Sequence, residues 1–141
     1  MALSIRTTTR NNRISEINTD IGGGGKIKFY TGSAPTSVND AATGTLLAEC
    51  ICNASAFGTV SAGVLTAQNV SGQTYVARDS SSNATGTVGY CRITDSSDNE
   101  IIQLSTVGTT GSGAEVILPS LSVTATEPFE VQTCSLTEGN P

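Results

Sequence analysis

Ala84-Thr85-Gly86-Thr87-Val88-Gly89-Tyr90-Cys91-Arg92-Ile93-Thr94, then Asp95-Ser96-Ser97-Asp98-Asn99-Glu100, then Ile101-Ile102-Gln103-Leu104-Ser105-Thr106-Val107 is the stretch that decides the fold. β-branched and aromatic residues flank a polar segment of turn formers. Strand, turn, strand is the signature of a β-hairpin. The pattern repeats outward in both directions. Upstream, residues 26–31 and 46–52 read as strands, the second nearly continuous in apolar residues and so central in a sheet. Phe57, Val60, Val64 and Leu65 surround a Ser61-Ala62-Gly63 turn, and 74–77 is a further short strand. Downstream, 115–118, 121–124 and 129–136 are separated by Pro119 and Pro128, which cannot donate to a ladder. The expectation is an all-β chain, a jelly-roll-like antiparallel β-sandwich of about eight strands.

Composition agrees. A chain of 141 residues reads as one domain. It has no Trp, three Phe and three Tyr, and draws its apolar content from small and β-branched side chains. These suit pleated sheets better than the Leu-rich stripes of helical bundles. Segments 32–44, 78–83 and 108–113 read as solvated loops, and 138–141 as a tail.

The exception is the N-terminus. Residues 7–21 form the one convincing helix, giving the fold one short N-terminal helix. Ile14, Ile17 and Ile21 make an apolar stripe at i, i+3 and i+7. Thr8 or Thr9 is the expected N-cap, and Arg10, Arg13 and Glu16 are placed off the stripe. Four glycines, 22–25, end the helix and read as a flexible joint. The expected division is therefore an arm and helix with a Gly hinge at 1–25 and a β-sandwich domain at 26–141. Lys26 after the glycines resembles a phosphate loop only superficially. Ile27 stands where Ser or Thr is required, and a helix stands where a strand is required.

Charge divides the chain the same way. Residues 1–28 carry five basic groups and two acidic ones; the remainder carries two basic (Arg78, Arg92) and ten acidic, for a net −5. An acidic body excludes nucleic acid as a direct partner. A basic arm suits docking on an acidic neighbour. No apolar run approaches the roughly 20 residues that span a bilayer, so no membrane is expected. The absence of an apolar leader before Arg6 points to synthesis in a cytoplasm.

Chemistry is sparse. There is no His, which removes the usual general base. Asp95, Asp98 and Glu100 do not match calcium-loop spacing and read as a hairpin turn. The four cysteines, Cys50, Cys52, Cys91 and Cys134, are expected as free, partly buried thiols. Tyr30, Tyr75 and Tyr90 read as strand aromatics rather than a sugar platform. The three Asn-x-Ser/Thr sites at Asn53, Asn69 and Asn83 follow from composition and are expected to be unused. No enzyme activity, cofactor or metal is expected.

The opening Ala2-Leu3-Ser4-Ile5-Arg6-Thr7-Thr8-Thr9-Arg10-Asn11 resembles the start of small tailed-bacteriophage and prophage proteins of the capsid cement, or decoration, family. Shorter pieces also match: Leu46-Leu47-Ala48-Glu49, Ala84-Thr85-Gly86-Thr87, Arg92-Ile93-Thr94-Asp95-Ser96-Ser97 and Leu136-Thr137-Glu138-Gly139-Asn140. The resemblance implies a structural virion protein, assembled in the bacterial host cytoplasm, on the outer capsid surface. There it would bind the major capsid protein and bridge neighbours as a homodimer. By the same analogy Arg6, Arg10 and Arg13 lie in a docking arm, and the sheet edges or last strand make the self-contact. The competing reading is a carbohydrate- or receptor-binding β-module of a phage tail fibre or baseplate.

Overall fold

The structure, a computed structural model, describes residues 3–138. The first two residues of the expected arm and the last three of the expected tail lie outside them. It is mostly β with one short helix, α1 (Thr7–Ile21). Six strands form one sheet in the order β12 (Phe129–Val131), β5 (Ala77–Asp79), β2 (Leu46–Cys52), β1 (Lys26–Tyr30), β7 (Tyr90–Thr94) and β8 (Glu100–Leu104). Five form a second, in the order β3 (Phe57–Ser61), β4 (Val64–Ala67), β13 (Thr133–Thr137), β10 (Val116–Ile117) and β9 (Val107–Gly108). A small third sheet pairs β6 (Gly86–Thr87) with β11 (Ser122–Val123). All pairs are antiparallel except β9 with β10.

The strands are shorter and more numerous than the eight expected. Three long runs are each cut in two. The 84–94 run breaks at Gly89, where a Cβ would collide with the Gly32 carbonyl. The 101–107 run gives β8 to one sheet and β9 to the other. The 129–136 run gives β12 to the six-stranded sheet and β13 to the five-stranded one, crossing at Gln132. Gln132 N–H donates to Ile117 O at 2.9 Å, which holds the crossing point. Periodicity of two continues through such corners, so the sequence pattern does not reveal them. The 78–83 loop also starts late, since Arg78 and Asp79 belong to β5.

One apolar core joins the sheets. Ile27, Phe29, Leu47, Ala48, Cys50, Cys91 and Ile93 come from the six-stranded sheet, and Leu65, Val116, Cys134 and Leu136 from the five-stranded one. Phe29 and Phe129 meet edge to face at 5.4 Å, a preferred aromatic geometry. All four cysteines are free and buried. Cys50 and Cys52 share the inward face of β2 as expected, with Ile51 between them 57% exposed on the other face. Burial drives these thiols up, Cys52 to about 12.

The helix belongs to this core. Ile14 and Ile21 are buried and Ile17 packs beside them. The helix begins two residues earlier than a Thr8 cap requires. Arg6 occupies the N-cap position, and no side chain caps it. At the other end the four glycines form a packed turn where the sequence suggests a loose joint. Gly22 takes φ 62° and donates its N–H to Asn18 O at 3.0 Å. A Cβ on Gly23 would meet Ala54 O at 2.7 Å, and one on Gly25 would meet Thr94 O at 2.9 Å and the Ile21 side chain. These two glycines permit close approach.

Candidate functional site

The three arginines expected to dock together have separate fates. Arg10 lies four residues before Ile14, so it extends the buried stripe by one turn instead of lying off it. Its Nε and Nη2 donate to the Glu138 carbonyl at 3.2 and 2.7 Å. Arg13 Nη2 pairs with Glu138 Oε1 at 2.8 Å. Asn11 Oδ1 accepts from Gly63 N–H at 2.7 Å, and Gly63 O accepts from Glu138 N–H at 2.8 Å. Gly63 has φ 77°, and a Cβ there would strike the Arg10 guanidinium. The result is a clasp between α1, the β3–β4 turn and the end of β13. Arg10, carrying charge into two hydrogen bonds, is its stronger part, worth about 1.5–3 kcal/mol. Arg13 is more than half exposed, so its pair is worth less than about 1 kcal/mol.

Arg6 is different. It is exposed, and among the described residues it is the one cation with no side-chain ion pair or hydrogen bond. Leu3, three residues before it, is 63% exposed. Together they form an extended segment in front of a fixed helix.

The remaining cations occupy one face of the six-stranded sheet. Cross-strand registers place Lys28 between Glu49 and Arg92, and Arg78 beside Glu130. Lys26 and Lys28 share Asp98 at 2.7 and 2.9 Å, and Lys28 also reaches Glu49 at 3.1 Å. Lys26 first and Lys28 second hold the Asp98 carboxyl down at about 2. Burial works against the Lys28 charge, but Asp98 and Glu49 outweigh it and raise its pKa. Arg78 pairs with Glu130 at 3.5 Å and lies 5.9 Å over the Tyr75 ring. The β7–β8 turn is held by Asp95, whose carboxylate accepts from Ser97 N–H, Asn99 N–H and Asn99 Nδ2.

Arg92 was missed as a functional residue by sequence reasoning. It is 0% exposed. Its guanidinium pairs with Glu100 and donates to Gln103 Oε1 at 3.0 Å and to Asp40 O at 2.8 Å. Gln103 Nε2 donates onward to Pro35 O at 2.7 Å. Tyr90, stacked on Tyr30 with ring centroids 5.2 Å apart, donates its hydroxyl proton to Thr43 O and accepts from Thr43 N–H. The 31–45 segment is thereby fixed over one end of the sheet face. An open depression of about 490 Å³ beside it is lined by Ser33, Pro35, Thr36, Gln103 and Ser105. Alternation on β7 could have indicated Arg92, since it shares a face with Lys28.

A second depression, about 350 Å³ and mainly apolar, lies between the segment after β10 and the start of β12. Pro119, Pro128 and Phe129 form its apolar part, and Ser120, Ser122 and Glu130 its polar part. No helix among the described residues is long and apolar enough to cross a membrane.

Compared with family models, with curated proteins and with solved structures, the chain has no match.

Proposed function

We propose that this chain is a structural virion protein of a tailed bacteriophage, a jelly-roll-like cement protein. It binds the outside of the capsid as a homodimer and ties neighbouring major capsid proteins together. The observation that carries the reading is the N-terminal segment. Its sequence, 2–11, resembles the opening of cement proteins, and it leaves Leu3 and Arg6 exposed ahead of a helix clasped to the body. Arg6 is the partner-facing residue of the segment. Arg10 and Arg13 serve it indirectly, by holding α1 on Glu138 so that the arm departs from a fixed point.

The physical logic suits a shell under internal pressure. Many small clips, each of modest affinity, act together through avidity. A short arm that orders on a neighbour loses little entropy when the element behind it is already rigid. The ion-paired sheet face supports exposure on a particle without a free excess of either charge.

The test is copy number in purified virions, measured by quantitative mass spectrometry. Hundreds of copies per particle are expected of a shell-wide cement. A few dozen or fewer would place the chain in a tail or fibre and end this reading.

A further inference from the structure

We propose that the groove beside β12 receives the N-terminal arm of a second copy of this chain. Leu3 seats against Pro119, Pro128 and Phe129, and Arg6 lies between Glu127 and Glu130. The proposal names the self-contact of the cement reading and rests on that reading for its purpose, though not for its geometry.

The arm and the groove fit in polarity. The groove is an apolar hollow of about 350 Å³ with the exposed Glu127 one residue before Pro128, and Glu130, which already pairs with Arg78, at its side. The arm offers an exposed leucine and the one cation left without a side-chain partner among the described residues. The groove also runs along β12, which ends the six-stranded sheet. An extended segment can add to such an edge through backbone hydrogen bonds.

The occupant comes from another copy because of where the two features lie. Arg6 is four residues, about 6 Å along the axis, from Arg10, and Arg10 is pinned to Glu138. Glu138 follows one end of β13. The groove starts two residues past Ile117, which pairs with Thr133 at the opposite end of β13. Five residues of strand separate these ends by about 17 Å. Arg6 therefore stays at the pole away from its own Glu127. The exposure of Leu3 agrees, since its own groove does not hold it. Two copies side by side and antiparallel bring each arm to the other's groove, and the exchange closes as a two-fold dimer.

The experiment is a concentration series of the full-length chain by sedimentation equilibrium. Twice the chain mass is expected. Leu3→Ser should weaken the dimer about tenfold or more, from the loss of buried apolar area. Arg6→Glu and Glu127→Arg should each weaken it. A mixture of those two variants should form a heterodimer, because each arm then meets a groove of opposite charge. All three positions are exposed, so these variants keep the fold. A chain that stays monomeric, or a dimer indifferent to Leu3→Ser and Arg6→Glu, overturns the proposal. Capsid decoration is measured separately. A monomer that still decorates removes the arm exchange and leaves the cement reading intact, whereas a dimer found in few copies per virion does the reverse.

Discussion

Ile14→Ala tests whether α1 is part of the folded core or an appendage. Ile14 is 2% exposed and faces the β body. The substitution deletes three side-chain carbons, about 0.8 kcal/mol each in transfer free energy. The space left behind adds to this, since packed surroundings relax only in part. The expected cost is about 3 kcal/mol, within the usual 2–5 for Ile to Ala. For a chain of this length that lowers Tm by roughly 9 °C. Ile21→Ala, at a site 1% exposed and against Gly25, should behave alike. A helix swinging freely on a glycine joint predicts the opposite sign, because Ala has the higher helix propensity by about 0.4 kcal/mol. Urea unfolding followed by far-UV circular dichroism reads the difference, with the exposed Ser15→Ala as the control. If both Ile variants unfold within about 0.5 kcal/mol of the parent, α1 is not docked in solution and the clasp has no role. The same numbers separate two truncations. Removal of residues 1–6 leaves the core intact, while removal of 1–21 strips two buried isoleucines from it.

Arg92→Met should cost about 1–3 kcal/mol by leaving the Gln103 and Asp40 acceptors unpaired while Glu100 stays solvated, and hydrogen exchange should rise in the 35–43 segment. Unchanged exchange there would mean that Arg92 does not hold that segment. Asp98 titrates at about 2 when folded and near 3.9 when unfolded. Its stabilising contribution is complete above pH ~4 and is lost as pH falls toward 2. Carboxyl carbon NMR should show Lys26→Met raising that value toward the ordinary range; no movement would remove Lys26 as the cause. Cys50, Cys52, Cys91 and Cys134 should resist an aromatic disulfide reagent at pH 8 until the chain is denatured. Rapid labelling of the native protein would contradict a closed core.

Much of the architecture could be read from the residues. The β class, the 7–21 helix, its isoleucine stripe and the inward pairing of Cys50 with Cys52 all follow from local periodicity. Local signals did not show where a run of alternating residues changes sheets. Gln132 and Gly89 mark such points, and each is fixed by a partner far away in sequence. The clasp was hidden for the same reason. Arg10 and Glu138 are 128 residues apart, and only the spacing of Arg10 to Ile14 hinted that Arg10 faces inward. Along the chain Lys26 and Lys28 belong to a basic N-terminal stretch. In space they belong to the sheet, and their charge is absorbed by Asp98 and Glu49. Arg6 alone of the five stays exposed and without a side-chain partner among the described residues.

The placement of β13 sets an order of events during synthesis. It lies inside the five-stranded sheet, between β4 and β10, and its last neighbour Glu138 receives α1. That sheet has no middle until residue 138 has left the ribosome. The helix packs on β3, β4 and β8, so Ile14, Ile17 and Ile21 stay uncovered until those strands are made, and its clasp waits for Glu138. Closure of distant pairs makes such folding slow and exposes it to aggregation. The hydroxyl-rich and charged flank of α1 therefore matters most before the fold exists, when it is the nascent chain's defence against its own kind.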